Sequence, residues 1–313
     1  MLREKLGGHT YVDPPIRMFG AGIHKHLSDM NRLNAYSRAA DLVVIGSITR
    51  ESNQENAGDR LQGHTDTATL NSWGMPNGGM DSLGNTAPFD NLIVSVAGKS
   101  IDDYLALYHK LSRWGKGIEL NLGCPNTGGG IMSFDIPRMI ELLEEIESVS
   151  YADSLSDDDP IIGVKLSPYS DPGQLKEVAN MLTCYSDVID YVATCNTFPL
   201  GKARQRDTHT TIHCGVTKDR GGVSGSALRE ISLGQASQFV EHFSAMDSSI
   251  EVIRVGGVST GKDLLDSQLE GCAGVQVVTA GLVRHHVMFD IMDQYVSLKT
   301  PHIDPVTRDF RYI

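Results

Sequence analysis

The sequence predicts an α/β fold, a (β/α)8 TIM barrel with elaborated loops at the C-terminal face of its strands. Three observations point there. The chain has 313 residues, enough for one barrel, which typically takes about 250. Eight short apolar runs alternate with longer helix-patterned segments, the rhythm of a closed parallel sheet wrapped by helices. Several of those runs are apolar throughout, as strands buried on both faces are.

The runs are Ile16–Gly20, Leu42–Ile45, Leu92–Val96, Gly117–Leu122, Ile161–Leu166, Val188–Ala193, Glu251–Val255 and Gly274–Val278. Helix starts are legible between them. Ser100 followed by Asp103 reads as a capping box opening a helix from Ile101 to about Trp114. Asp171 then Pro172 reads as an N-cap and first helical residue. Thr260 with Asp263 makes another capping box. From 136 to 146, apolar residues recur near a 3.6-residue period at Met139, Ile140, Leu142, Leu143 and Ile146. Residues 46–91 and 197–224 are rich in Asn, Gly, Asp and Thr. They read as long loops after the second and sixth barrel strands, on the face where barrel enzymes bind ligands. The acidic run 151–160 precedes the fifth strand and reads as an insertion on the opposite face. No internal repeat or interdomain linker stands out, so 1–313 reads as one domain.

Composition narrows the function. With 40% hydrophobic and 21% charged residues the chain can bury a sizeable core. The net charge of −12 opposes contact with phosphate backbones, so no nucleic-acid partner is expected. Neither a signal-peptide core nor a run near the roughly 18 apolar residues of a membrane span occurs. No membrane association and a cytoplasmic location are therefore expected. Cys124, Cys184, Cys195, Cys214 and Cys272 form no C-x-x-C pair, which signals neither zinc nor an iron–sulfur cluster and fits reduced thiols.

The strongest chemical signal is Glu119-Leu-Asn-Leu-Gly-Cys-Pro-Asn126. A strand ends there in a polar run holding Asn121, Cys124 and Asn126. An accessible thiolate can act as base or nucleophile, and amides beside it can hold a planar ligand. The plainer reading is a buried cysteine before a Pro-Asn turn. Thr127-Gly-Gly-Gly130 follows, a glycine run suited to a lid.

This octapeptide resembles the N-L-S-C-P-N motif of the soluble class 1 dihydroorotate dehydrogenases. Asn71-Ser-Trp-Gly-Met-Pro-Asn77 is similar to N-S-M-G-L-P-N, and Gly163-Val-Lys165 with Leu-Ser-Pro-Tyr169 to G-V-K-x-P-P-Y. Gly221-Gly-Val-Ser-Gly225 and Val255-Gly-Gly-Val258 resemble the family's two glycine-rich stretches, and Val275-Gln-Val-Val-Thr-Ala280 resembles V-Q-V-G-T-A. The matches run in family order from about residue 16 to 285.

The resemblance implies oxidation of dihydroorotate to orotate, in pyrimidine biosynthesis, at an FMN. Cys124 would be the base that removes the C5 proton while hydride leaves C6 for flavin N5. It implies substrate contacts at Asn71, Gly74, Met75, Asn121, Asn126, Asn196 and Thr197. It implies FMN contacts at Ala21, Gly22, Lys25, Ser47, Asn121, Lys165, Ser224, Gly225, Gly256, Gly257, Thr279 and Ala280. Lys165 would stabilise negative charge on reduced flavin; otherwise it reads as a lysine paired with a carboxylate at the barrel mouth. The phosphate would lie on backbone N–H groups after the last two barrel strands, although glycines there also serve tight turns. A homodimer is implied, with fumarate, another soluble acceptor, or a partner subunit carrying FAD and an iron–sulfur cluster taking the electrons.

Two departures stand out. Class 1 members carry K-S-x-T where this chain has Gly46-Ser-Ile-Thr49, so that lysine is missing. Ala21-Gly-Ile-His-Lys-His26 instead resembles A-G-F-D-K-H of class 2, which makes Lys25 a third candidate catalytic residue. His24 and His26 read as exposed loop residues. Alternatives are another FMN-dependent pyrimidine reductase of the dihydropyrimidine dehydrogenase kind and a tRNA dihydrouridine synthase, which should show a basic face. A catalytically silent, phosphate-binding barrel is the remaining one.

Overall fold

The computed structural model describes residues 2–6, 14–23, 29–56, 61–63, 68–124, 130–153, 159–202, 220–300, 302–303 and 310–311. The predicted barrel forms. Strands β1 (Ile16–Phe19), β2 (Leu42–Ile48), β5 (Leu92–Val96), β6 (Gly117–Asn121), β7 (Ile161–Lys165), β8 (Tyr191–Ala193), β11 (Glu251–Val255) and β12 (Gly274–Val277) close in the order β1-β12-β11-β8-β7-β6-β5-β2. Every pair in the ring is parallel. Helices α2 (Met30–Ala39), α3 (Ile101–Leu111), α4 (Ile136–Asp153), α5 (Pro172–Thr183), α6 (Arg229–Ala245), α7 (Gly261–Leu269), α8 (Thr279–Val283) and α9 (Val287–Lys299) lie between and after them. Among the described residues, none of the helices is long and apolar enough to cross a membrane.

Alternation along the strands divides the core in two. One cluster fills the barrel interior with Ile16, Met18, Leu42, Val44, Ile93, Ile161, Tyr191 and Ile253. Leu2 of the short helix α1 (Leu2–Lys5) joins it, and Lys5 bonds Pro160 O and Asp190 Oδ2. The N-terminal end of the barrel is thereby closed. The second cluster lies between strands and helices, where Met139, Leu142, Leu143 and Ile146 of α4 fulfil the predicted periodicity.

Capping follows the sequence closely. Asp171 accepts from Gly173 N at 2.9 Å ahead of Pro172, and Thr260 with Asp263 makes a full capping box. At α3 only half the box forms. Ser100 accepts from Asp103 N, but the Asp103 carboxylate turns to Lys99 N and Arg50. That helix stops at Leu111, and Ser112–Trp114 continue as a turn.

Two expectations are corrected. Val188–Asp190 is not strand: Val188 N and Ile189 N both bond Tyr185 O in a turn, and these residues are apolar because the turn is buried. The segments 46–91 and 197–224 are not plain loops. They contain β3 (Leu61–Gly63), β4 (Ala68–Asn71), β9 (Phe198–Gly201) and β10 (Gly221–Gly225), which form one antiparallel sheet in the order β3-β4-β10-β9. Partners in β4 and β10 are some 150 residues apart, Asn71 facing Gly222 and Thr69 facing Ser224, so no local pattern announces the pairing. Residues 154–158 of the acidic run lie outside the described residues.

Candidate active site

A cavity of about 1050 Å³ opens at the C-terminal ends of the barrel strands, with β4 and β10 along one side. Sixteen of the predicted site residues line it: Ala21, Gly22, Ser47, Asn71, Gly74, Met75, Asn121, Cys124, Lys165, Asn196, Thr197, Ser224, Gly225, Gly256, Gly257 and Thr279. Ala280 does not; it packs against the core cluster beneath α8. Lys25, His24, His26 and Asn126 lie outside the described residues, as does Cys214.

The strand ends set the chemistry. Asn121 closes β6 and Lys165 closes β7, opposite one another in the parallel register. Cys124 follows three residues after Asn121 and is half-buried. A hydrogen-bonded chain crosses the floor of the cavity. Asn121 Nδ2 donates to Ser47 Oγ at 2.8 Å, and Ser47 Oγ lies 2.9 Å from the buried Ser95 Oγ. Asn196 Nδ2 donates to Asn121 Oδ1 at 3.0 Å, while Asn196 Oδ1 accepts from Thr197 N. These amides are mutually oriented before any ligand arrives, the preorganisation that binding sites require.

Lys165 is 4% exposed. Its Nζ lies 3.5 Å from Gln276 Oε1, and Gln276 Nε2 donates to Glu119 Oε2 at 2.5 Å. Tyr191 Oη donates to that same oxygen at 3.0 Å. Among the described residues the ammonium is therefore tied through an amide to a fully buried carboxyl, with no direct ion pair. On the roof, Ser224 Oγ takes part in bonds with Thr69 Oγ1 and Thr279 Oγ1. Met75 adopts a left-handed backbone with φ 60°, its carbonyl held by Asn53 and Asn77.

Cys124 also lines a second cavity of about 1030 Å³, bounded by Asn53, Lys99, Tyr104, Met132 and Arg138. Cys124 thus stands in a wall shared by the two cavities. Cys195 lines the first cavity too, but burial pushes its thiol up to about 12, with Lys165 and Arg254 only partly opposing the shift. That keeps it protonated and unsuited to act as a base near neutrality. Thr69, Trp73, Gln276 and Leu228 line the cavity without having been singled out. Gln276 carried a signal, a polar residue inside an apolar strand; Thr69 comes to the cavity only through the unpredicted sheet.

Cavities at the C-terminal ends of barrel strands are where enzymes of this architecture do their chemistry, and that is the class this fold and cavity define. Within it, the chain belongs to the dihydroorotate dehydrogenase family, whose model matches residues 1–297; it is an oxidoreductase. It is 28% identical over 314 residues to "Dihydroorotate dehydrogenase B (NAD(+)), catalytic subunit" of Thermoanaerobacter sp. (strain X514), covering 95% of this chain and 94% of that one. The protein of the same name from Alkaliphilus oremlandii (strain OhILAs) is 29% identical, covering 88% of each. Among solved structures, ligand-free DHODH from Eimeria tenella superposes with a TM-score of 0.72 at 19% identity, covering 90% of this chain and 83% of that one; this supports the fold.

Proposed function

We propose that the chain oxidises dihydroorotate to orotate at a bound FMN, with Cys124 as the base. The reading rests above all on Cys124 and Lys165 lining one cavity from the ends of neighbouring strands, with the mutually oriented Asn121 and Asn196 amides lining it too. The cavity also suits the cofactor. Gly22 lines the cavity with φ 100°, and among the described residues a Cβ there would meet only Val278 within 4 Å, so an added side chain would project into the space a ligand needs. Lys165 supplies a cation and Asn121, Asn196 and Ser47 supply polar edges, the donor set that a flavin ring calls for.

When bound, FMN supplies the acceptor for the hydride that leaves C6 of dihydroorotate. Cys124 takes the proton from C5, and the C5–C6 double bond forms. Asn71, Asn121, Asn196 and Thr197 hold the pyrimidine and its carboxylate; Lys165 holds a positive charge at the flavin. The lysine missing at position 46 leaves Lys165 as the described cation of the cavity, with Lys25 as the proposed second. The relatives' names specify NAD(+) and a catalytic subunit. On that ground we place this chain with an electron-transferring partner subunit, rather than with fumarate as acceptor; the resemblance to class 1 members further implies a homodimer.

Purified protein should be yellow, with an oxidised-flavin spectrum that dihydroorotate bleaches without oxygen. Cys124→Ala should keep the flavin and slow bleaching by about 10²–10⁴-fold, the usual worth of a general base. Bleaching at the wild-type rate would remove Cys124 from the mechanism, and a colourless protein that FMN cannot reconstitute would remove the flavin.

A further inference from the structure

A fully buried arginine stands behind the glycine pair that ends β11. Arg254 is 0% exposed, and its side chain runs outward between β11 and helices α6 and α7. Nε donates to Ser232 Oγ at 3.1 Å, Nη1 to Asp263 O and Ser267 Oγ at 3.2 Å, and Nη2 to Arg229 O at 2.8 Å. All four acceptors are neutral oxygens. The Asp263 carboxylate is already committed: Oδ1 to Arg229 Nε at 2.9 Å, and Oδ2 to Ser259 N, Thr260 N and Thr260 Oγ1. Asp266 is taken by Lys262, and Glu230 is exposed. Among the described residues, Arg229, Arg254 and Asp263 therefore carry one surplus positive charge. Asp263 is thus shared between the fully buried Arg254 and the partly exposed Arg229; a buried charge whose counter-ion is shared is costly, and guanidinium does not relieve the cost by losing its proton near neutrality.

What lies in front of this charge is Gly256–Gly257, both at positive φ, 117° and 76°, and both lining the cavity. A Cβ on Gly256 would be 2.9 Å from Ser232 Cβ, and one on Gly257 would be 2.7 Å from Arg229 Cα. The pair is thus pressed onto the first turn of α6. Ser232 Oγ, which accepts from Arg254, donates to Gly256 O at 2.6 Å. In a trans peptide the carbonyl and the next N–H point oppositely. Holding Gly256 O toward Ser232 turns the Gly257 N–H away from it, toward the side of the cavity.

We propose that Arg254 is a positioning residue for a phosphate monoester bound at Gly256–Gly257. It fixes the Gly256 carbonyl through Ser232, and its surplus charge is answered by the phosphate dianion. The inference rests on the FMN reading and deepens it: the phosphate end of the cofactor is secured from behind by a side chain that never touches it.

Riboflavin lacks the phosphate, so comparing it with FMN isolates the effect from flavin binding as such. Wild type, Arg254→Met, Arg254→Lys and Ser232→Ala are stripped of flavin and titrated with each, with circular dichroism reporting the fold. Arg254→Met should weaken FMN by roughly tenfold or more, the scale of one charge-assisted contact, and leave riboflavin within about twofold. Arg254→Lys should restore part of the FMN preference, and Ser232→Ala should lose part of it. Equal weakening of both flavins by Arg254→Met, or an unchanged ratio, would overturn the proposal. If that variant does not fold, a wild-type ratio in both Arg254→Lys and Ser232→Ala does the same. A wild type that binds neither flavin sinks the FMN reading instead. Inorganic phosphate then becomes the probe, and equal thermal protection of wild type and Ser232→Ala would end this inference too.

Discussion

Gly163→Ala should destabilise the protein through a side chain on the next strand. Gly163 and Tyr191 are partners in the β7–β8 register. A Cβ at 163 would stand 2.5 Å from Tyr191 Cε1 and 2.6 Å from its hydroxyl. Tyr191 is 0% exposed, so its ring cannot yield without moving neighbours. Overpacking of this kind costs about 1–3 kcal/mol. The displaced ring also loses the 3.0 Å bond from its hydroxyl to Glu119 Oε2, worth roughly 1–3 kcal/mol. The sum is roughly 2–6 kcal/mol. A double-mutant cycle separates the two parts. Tyr191→Phe should cost roughly 1–3 kcal/mol alone but almost nothing after Gly163→Ala, because the bond is already gone. Urea denaturation of the four proteins measures the coupling. Additivity within about 0.5 kcal/mol would refute the claim that the glycine exists to seat this ring.

Two further outcomes follow from the same geometry. Gly22→Leu should leave a folded protein, at a strain cost of about 1–2 kcal/mol for a positive φ, yet bind FMN at least tenfold more weakly because the side chain enters the cavity; an unchanged titration counts against that placement of the ligand. Stability should fall as pH rises from about 9 to about 12. Burial pushes Cys195 and Cys272 up from the ordinary 9.0 to about 12, so the unfolded thiols lose their protons first. The stabilisation is whole below 9 and is lost towards 12, at about 1.4 kcal/mol per pH unit for each thiol. Cys272→Ala should remove one share of that slope in urea midpoints measured against pH, and an identical slope would exclude it.

The barrel was legible because its strands are short, apolar and separated by helix-patterned segments, and its helices carry side-chain caps such as Asp171 and Thr260. Much of the candidate site was legible for a different reason. Asn121 and Lys165 break apolar runs one residue before their end, and a polar group there must face either a partner or a ligand. What stayed hidden depends on long-range pairing. The antiparallel sheet of β4 and β10 is assembled largely from Gly, Ser, Thr and Asn, with Leu70 facing Val223, at positions far apart in the chain, and such segments lack the sustained alternation and propensity of strands. Val188 and Ile189 misled for the converse reason: burial of a turn produces the same apolar letters as burial of a strand.

Glu119 shows how a residue with no access to the cavity governs what faces it. Its Oε2 already accepts from Tyr191 and from Gln276 Nε2, and its Oε1 has no partner among the described residues. Gln276 must therefore direct its NH2 group downward into the barrel, which leaves its carbonyl oxygen as the group nearest Lys165. The opposite amide orientation would set an N–H donor against an ammonium and an oxygen against an acceptor, losing both bonds at once. A buried network of this kind is favourable only when its members agree in direction. Lys165 is thus held by a direction imposed two residues deeper, and the Tyr191 ring that Gly163 accommodates is what fixes its lower end.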